Sequence, residues 1–301
     1  MGGDEAPSAV IEGVNIVAAR TNNVRFLVFG DELQLMSLLE KFPNAKQASE
    51  IRHTPQVITS DERPAIALRN GRESSMRLAI NAVRAGEAAG VVSAGNTGAL
   101  MAMAKFVLKT LPGIDRPAIA SYFPTERGKS IMLDLGANVE CTSENLVQFA
   151  VMGEVFARNV LGLEKPTVGI LNVGVEDLKG NDTVKGAAAI LQAETPLPIK
   201  FYGFVEGNDI TAGTVDVIVT DGFTGNVALK TAEGTARLFA FTLRQALTSS
   251  PLAKLGALFA RPAISTFRQK LDPRLHNGAM FLGLNGICIK SHGGTDALGF
   301  S

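Results

Sequence analysis

The chain has 301 residues, 46% of them hydrophobic, and its 29 basic side chains equal its 29 acidic ones. The hydrophobic fraction excludes a disordered chain, and the charge balance gives no positive field that would recruit nucleic acid. The two cysteines, Cys141 and Cys288, make neither a disulfide framework nor a metal site and are typical of a reducing cytoplasm. The first residues lack a signal peptide and no apolar run reaches the roughly 18 residues of a membrane span, so we expect a cytoplasmic protein.

Seven runs of apolar and β-branched residues predict strands. They cover residues 26–30, 91–95, 118–123, 130–136, 167–174, 199–205 and 216–222. Helical patterns lie between several of them, at residues 74–89, 99–109, 144–161 and 184–193. Strands that alternate with helices indicate βαβ units. We therefore predict one continuous α/β domain over residues 1–301, with a mainly parallel sheet, helices on both faces and ligands at the carboxyl ends of the strands.

Residues 227–273 depart from this alternation. A long helical pattern is interrupted at the sequence TSSP and is followed by a second helical stretch. The second stretch carries apolar and basic side chains together, namely Leu252, Lys254, Leu255, Leu258, Phe259 and Arg261. The pattern predicts a helical hairpin inserted in the sheet domain, with an apolar and basic bend.

Four predicted strands end in turns of the same kind, rich in glycine and asparagine and followed by a helix. Their sequences are SAGNTG (93–98), LDLGANVE (133–140), LNVGVEDLKGND (171–182) and TDGFTGN (220–226). Such a turn directs free backbone N–H groups at the start of a helix, where anions are stabilised. In a parallel sheet the four turns would lie along one edge, so we expect phosphate or a phosphorylated ligand there. Glycine and asparagine are also ordinary turn residues, and a purely structural role stays open.

Lys185 supplies the positive charge for such a site. We expect it in the first turn of a helix, where a cation opposes the helix dipole and therefore needs another reason to be present. A solvated surface lysine is the alternative. The chain has no complete P-loop, dinucleotide fingerprint, serine elbow or metal-ligand spacing, so neither a covalent nucleophile nor a metal site is predicted.

An ordered set of motifs runs through the chain. It consists of MGGDEAP, SAGNTGALM, GIDRPA, LDLGANVE, LNVGVEDLKGND, VIVTDGFTGNVALK and HGGTDA. This set resembles the bacterial phosphate acyltransferases of phospholipid synthesis, the PlsX family, over essentially the whole chain. The resemblance implies transfer of a long-chain acyl group from acyl carrier protein to inorganic phosphate, which gives acyl phosphate without an organic cofactor. It also implies a homodimer with the three-layer α/β/α sandwich of phosphate acetyltransferases and isocitrate-type dehydrogenases.

The resemblance assigns roles to residues of the turns. It implies that Lys185 neutralises phosphate and developing charge, and that Asn226 orients phosphate or polarises the thioester carbonyl. Further phosphate-binding residues are expected at Asn96, Thr97, Gly98, Asn138, Asn172, Thr224 and Gly225. Asp134 and Asp221 are expected to brace their loops, because a bare carboxylate repels phosphate.

The resemblance also implies peripheral association with the inner membrane, where a glycerol-3-phosphate acyltransferase would accept the acyl phosphate. We expect Leu252, Leu255, Leu258 and Phe259 to contact an anionic lipid surface. Packing of these residues within the helical cluster of a dimer is the alternative.

The sequence departs from the family pattern at both ends. Family chains place a short strand before the MGGD motif and a further helix after ALGFS, so we expect this strand and this C-terminal helix to be missing.

Three other functions compete with this interpretation. They are a phosphate acetyltransferase that uses acyl-coenzyme A, a catalytically idle membrane-bound scaffold, and an isocitrate-type dehydrogenase. The last should show a metal-binding aspartate cluster, which the sequence lacks.

Overall fold

The computed structural model describes residues 1–193, 199–270, 272, 274 and 277–301. The strands described are β1 (Phe26–Gly30), β2 (Ser49–His53), β3 (Gly90–Ser93), β4 (Ala118–Thr125), β5 (Gly128–Leu133), β6 (Thr167–Leu171), β7 (Lys200–Val205), β8 (Val217–Val219), β9 (Ala279–Leu282) and β10 (Ile287–Lys290). The helices described are α1 (Ser8–Arg20), α2 (Glu32–Leu39), α3 (Pro43–Ala48), α4 (Pro64–Asn70), α5 (Ser75–Arg84), α6 (Thr97–Leu108), α7 (Ser143–Leu161), α8 (Asp182–Gln192), α9 (Gly207–Ala212), α10 (Gly222–Thr248), α11 (Pro251–Phe259), α12 (Arg261–Lys270) and α13 (Ala297–Phe300).

Eight strands form one sheet in the order β3-β10-β9-β4-β5-β8-β6-β7. The half from β5 to β7 is parallel throughout, and β3 also pairs in parallel with β10. Between these two parts, β4 pairs antiparallel with β5 and β9, and β9 pairs antiparallel with β10. The predicted mainly parallel α/β sheet is confirmed. Strands β2, β9 and β10 were not predicted; β2, with the sequence SEIRH, lacks an apolar run.

Successive residues of the central strands enter two cores on opposite faces of the sheet. In β8, Val217 and Val219 enter one core and Ile218 enters the other. In β5, Leu133 and Met132 divide in the same way. Helices α5 and α6 cover one face, and α7 and α8 cover the other. This arrangement gives the three layers and explains why these strands read as unbroken apolar runs.

A smaller parallel pair, β1 and β2, lies outside the large sheet. It packs with α1, α2 and α3 around a separate cluster that includes Ile11, Val28 and Leu35. The predicted single domain over residues 1–301 stays a prediction.

The segment between β8 and β9 is helical, as predicted. Helix α10 begins at Gly222, five residues earlier than the predicted hairpin, because the side chain of Asp221 caps it. The predicted interruption at TSSP falls between α10 and α11. Residues 271 and 273 of the predicted hairpin lie outside the described residues. Among the described residues, no helix combines the length and apolar character needed to cross a bilayer.

Candidate active site

Three of the four glycine- and asparagine-rich turns lie side by side. Strands β5, β8 and β6 are neighbours and run parallel, so their carboxyl ends lie at the same edge of the sheet. Strand β3 runs in the opposite sense to β5, because three antiparallel pairings separate the two strands. The expectation that all four turns lie along one edge is therefore wrong for the turn after β3.

Asp134 organises the turn after β5. Its buried carboxylate accepts hydrogen bonds from the backbone N–H of Ile119 at 2.9 Å, of Ala137 at 3.0 Å and of Asn138 at 2.7 Å. Burial raises the pKa of Asp134 above its ordinary value, and these hydrogen bonds act in the opposite direction. The carboxylate thus ties the turn to β4, and the prediction that Asp134 braces its loop is confirmed.

Asn138 is buried in the same turn. Its side-chain amide donates to the Pro117 carbonyl at 2.8 Å and to the Asp134 carboxylate at 2.9 Å. Its backbone carbonyl accepts from the Gly222 N–H at 2.7 Å. The amide nitrogen therefore holds the turn in shape. The role of Asn138 in binding phosphate stays a prediction.

Two glycines allow α10 to approach this turn closely. A Cβ on Gly225 would lie 1.9 Å from the Asp134 carbonyl oxygen, and one on Gly222 would lie 2.6 Å from the Asn138 carbonyl oxygen. Only glycine fits at such distances. The first turn of α10 thereby rests on residues 134–138 and places Asn226 beside Gly136, where a Cβ would be 3.5 Å from the Asn226 Cβ.

At the start of α10, some side chains are hydrogen-bonded within the chain and one is free. Asp221 caps the helix by accepting from the Thr224 N–H at 2.8 Å, and its other oxygen accepts from the Thr224 hydroxyl at 2.8 Å. Asp221 braces its loop, as predicted, and the Thr224 hydroxyl is engaged with it. Asn226 is exposed and makes no side-chain hydrogen bond within the part of the chain that the structure describes. Its amide is therefore free to bind a ligand.

The turn after β6 presents Lys185. Asn172 closes this turn by donating to the carbonyls of Gly174 at 3.0 Å and Lys179 at 3.1 Å. Lys185 lies in the first turn of α8, as predicted, and its ammonium is 3.2 Å from Asp182, whose side chain is fully exposed. An exposed pair of this kind contributes little, so a bound anion can compete for the ammonium.

The turn after β3 holds a different part of the chain. Asn96 caps α6 by accepting from the Ala99 N–H at 3.0 Å, and its amide donates to the carbonyls of Ser60 at 3.0 Å and Glu62 at 2.8 Å. Thr97 and Gly98 form the first turn of α6, where backbone N–H groups have no partner within the helix. Their assignment to the phosphate site stays a prediction.

Lys290 is a half-buried cation that the sequence analysis missed. Its ammonium donates to the carbonyls of Ala94, at 3.2 Å, and of Ser291. Burial lowers the pKa of Lys290 to about 8; Asp4 raises it and Lys230 lowers it further. Lys290 thus ties the end of β10 to the turn after β3 through the Ala94 carbonyl.

Comparisons with known proteins place the chain in a family. The family model described as "Fatty acid synthesis protein" matches residues 1–301. A phosphate acyltransferase of Rhodospirillum centenum is 64% identical over 301 residues, which are 100% of this chain and 84% of the relative. Another, of Paramagnetospirillum magneticum, is 62% identical over 100% of this chain and 86% of the relative.

A solved structure shows the same fold. The "EutD phosphotransacetylase from Staphylococcus aureus" superposes with a TM-score of 0.61 over 98% of this chain and 88% of that chain, at 18% identity. At this identity the likeness concerns the fold alone. From its full-length match to the family model and to relatives of this identity, the chain belongs to the phosphate acyltransferase family of fatty acid and phospholipid synthesis.

Proposed function

We propose that this chain transfers a long-chain acyl group from acyl carrier protein to inorganic phosphate and releases acyl phosphate. Membership of the phosphate acyltransferase family supports the reaction class. The main structural support is the close packing of α10 against residues 134–138, which positions the free amide of Asn226 beside the turn after β5. Lys185 supplies a cation from the neighbouring turn.

The reaction needs no nucleophile from the protein. A phosphate oxygen attacks the thioester carbonyl carbon, the carbon–sulfur bond breaks, and the carrier leaves with its thiol. The protein must hold the two reactants together, which supplies roughly 7–11 kcal/mol in favourable cases. It must also stabilise the oxyanion that forms, and one donor contributes about 2.7–4 kcal/mol.

The two catalytic residues divide these tasks. Lys185 neutralises the phosphate and the charge that develops on the carbonyl oxygen. Asn226 donates from its amide to the phosphate or to that oxygen. Backbone N–H groups in the first turn of α8 add donors for the anion, whereas those of Gly222 and Thr224 at the start of α10 already donate to Asn138 and Asp221.

The test is phosphate-dependent release of carrier thiol from palmitoyl-acyl carrier protein, with the acyl phosphate trapped by hydroxylamine. We expect release with phosphate and none without it. Acetyl-coenzyme A run in parallel should react much more slowly. Faster turnover of acetyl-coenzyme A would make the chain a phosphate acetyltransferase, and no turnover of either donor would favour the idle scaffold.

We propose further that α11 contacts the anionic inner membrane, close to the glycerol-3-phosphate acyltransferase that accepts acyl phosphate. Leu252, Leu258 and Phe259 are 78%, 62% and 79% exposed, and Leu255 is 51% exposed. Ala253 and Ala257, on the other side of this helix, are half-buried. Basic Lys254 and Arg261 are exposed beside the apolar side chains. An apolar face with adjacent cations is suited to an anionic lipid surface.

A homodimer would cover a second apolar surface, on α10. Leu238 and Phe241, three residues apart on one face of this helix, are 65% and 59% exposed. We propose that this face packs against a second copy of the chain. Sedimentation should then show a dimer for the wild type and a monomer for Phe241→Arg; a monomeric wild type would contradict the proposal.

A further inference from the structure

A cavity of about 520 Å³ lies between α6 and the turn after β5. It is lined by Met101, Lys105, Arg116, Pro117, Ala137, Asn138, Val139 and Glu140. Ala137 and Asn138 belong to the turn on which the first turn of α10 rests, so the cavity adjoins the candidate active site. Its volume falls within the roughly 300–1,000 Å³ of small-molecule sites.

The lining combines an apolar surface with two cations. Met101, Pro117, Ala137 and Val139 supply the apolar part. Glu140 is the acid of this lining, so its formal charge is positive overall.

Both cations are available to a ligand. The Lys105 ammonium donates to the Asp115 carbonyl at 3.1 Å, and the Arg116 guanidinium donates to the Glu140 carbonyl at 3.2 Å. Across the ranges that the structure describes, these contacts are to neutral carbonyls and neither cation forms an ion pair. The Asp115 carboxylate accepts from the Gln148 amide at 2.7 Å instead. The hydrogen bond to Glu140 also holds the guanidinium at the cavity, with further N–H groups left to bind oxyanions in a planar fork.

We propose that this cavity binds the arm of the acyl donor, with Lys105 and Arg116 holding its phosphodiester. Acyl groups are carried as thioesters on a flexible pantetheine arm, a chain of methylene and amide groups that ends in a phosphodiester. The apolar lining contacts the chain, and the cations contact the charged end. The inference rests on the proposed function and names where that reaction's donor is held. Inorganic phosphate, the other substrate, would also bind to two cations, so the experiment distinguishes it from the phosphodiester of the donor arm.

The test uses three donors with the same acyl group. They are acylated acyl carrier protein, acyl-phosphopantetheine, and acyl-pantetheine, which lacks the phosphate. The variants are Lys105→Gln, Arg116→Gln and the double change, with Arg116→Lys as the variant that keeps the charge. Lys109→Gln is the matched control, because Lys109 lies outside the cavity with its ammonium over the Phe106 ring. Wild-type turnover of acyl-carrier protein, measured in the same series, tests the proposed function separately. Equal melting temperatures establish that each variant is folded.

We expect the double change to raise KM for the two phosphate-bearing donors at least about tenfold. KM for acyl-pantetheine and for inorganic phosphate should stay within about twofold, as should every constant of Lys109→Gln. A higher KM for inorganic phosphate with all three donors would assign the cations to the nucleophile and overturn the proposal. Unchanged constants, or an equal rise with acyl-pantetheine, would also overturn it. Exposed Lys105→Gln alone provides the same comparison should the double variant not fold.

Discussion

The turns that form the candidate active site and helix α11 are built in opposite ways. At the start of α10, glycines bring backbone within contact of backbone, and Asp134 and Asn138 are buried and hydrogen-bonded. Further along, α11 has no buried residue and exposes leucine and phenylalanine to solvent. The first region tolerates no added atom and suits the exact placement of reactants. Helix α11 exposes apolar surface that is suited to contact with a lipid surface or another protein.

The largest effect should come from adding one methyl group at the turn. In Gly225→Ala the new Cβ would meet the Asp134 carbonyl oxygen at 1.9 Å, so α10 must move away from residues 134–138. We expect a loss of about 3 kcal/mol or more in the free energy of unfolding, and loss of turnover. Denaturant unfolding and the phosphate-dependent assay measure both quantities.

Gly234→Ala is the matched control on the same helix. A Cβ there meets nothing within 4 Å, so helix propensity should stabilise the chain by roughly 0.5–1 kcal/mol. Equal destabilisation by the two changes would mean that close approach is not what Gly225 provides.

A second prediction concerns the apolar face of α11. The double change Leu255→Glu, Leu258→Glu should remove most sedimentation with anionic vesicles while leaving turnover of soluble donor unchanged. Leu255→Gln, Leu258→Gln removes the apolar area without adding charge and should weaken binding as well. Vesicle binding equal to that of the wild type would exclude a membrane role and leave packing within a dimer.

A smaller effect is expected at Lys290. Competitive labelling of amines should give this residue a midpoint near pH 8, whereas an unperturbed lysine has a pKa of about 10.4. The folded chain then binds fewer protons than the unfolded chain between these pH values. Stability contributed by this group therefore rises with pH across that window, and Lys290→Met should lose this rise. A labelling midpoint above pH 10 would contradict the burial described here.

Much of the central sheet could be predicted from sequence, because β5, β6 and β8 are apolar runs followed by turns rich in glycine and asparagine. The edge on which the turn after β3 lies could not, since it depends on the antiparallel strands β4, β9 and β10 that separate it from β5. Lys290 was missed for a similar reason. It contacts Ala94, 196 residues earlier in the chain, and no local pattern reports such a contact. Gly222 and Gly225 were read as turn residues, whereas their function is close approach inside a helix.

The most direct test of the account compares Lys185→Ala and Asn226→Ala with Lys165→Ala, an exposed lysine before β6. Each purified variant is assayed for phosphate-dependent release of carrier from palmitoyl-acyl carrier protein, with its melting temperature as a check on folding. We expect the first two changes to lower kcat at least about a hundredfold with the fold intact, because each removes a group that stabilises charge in the transition state. Lys165→Ala should retain wild-type turnover. Near-normal turnover of Lys185→Ala or Asn226→Ala would contradict the assignment of the chemistry to this edge of the sheet.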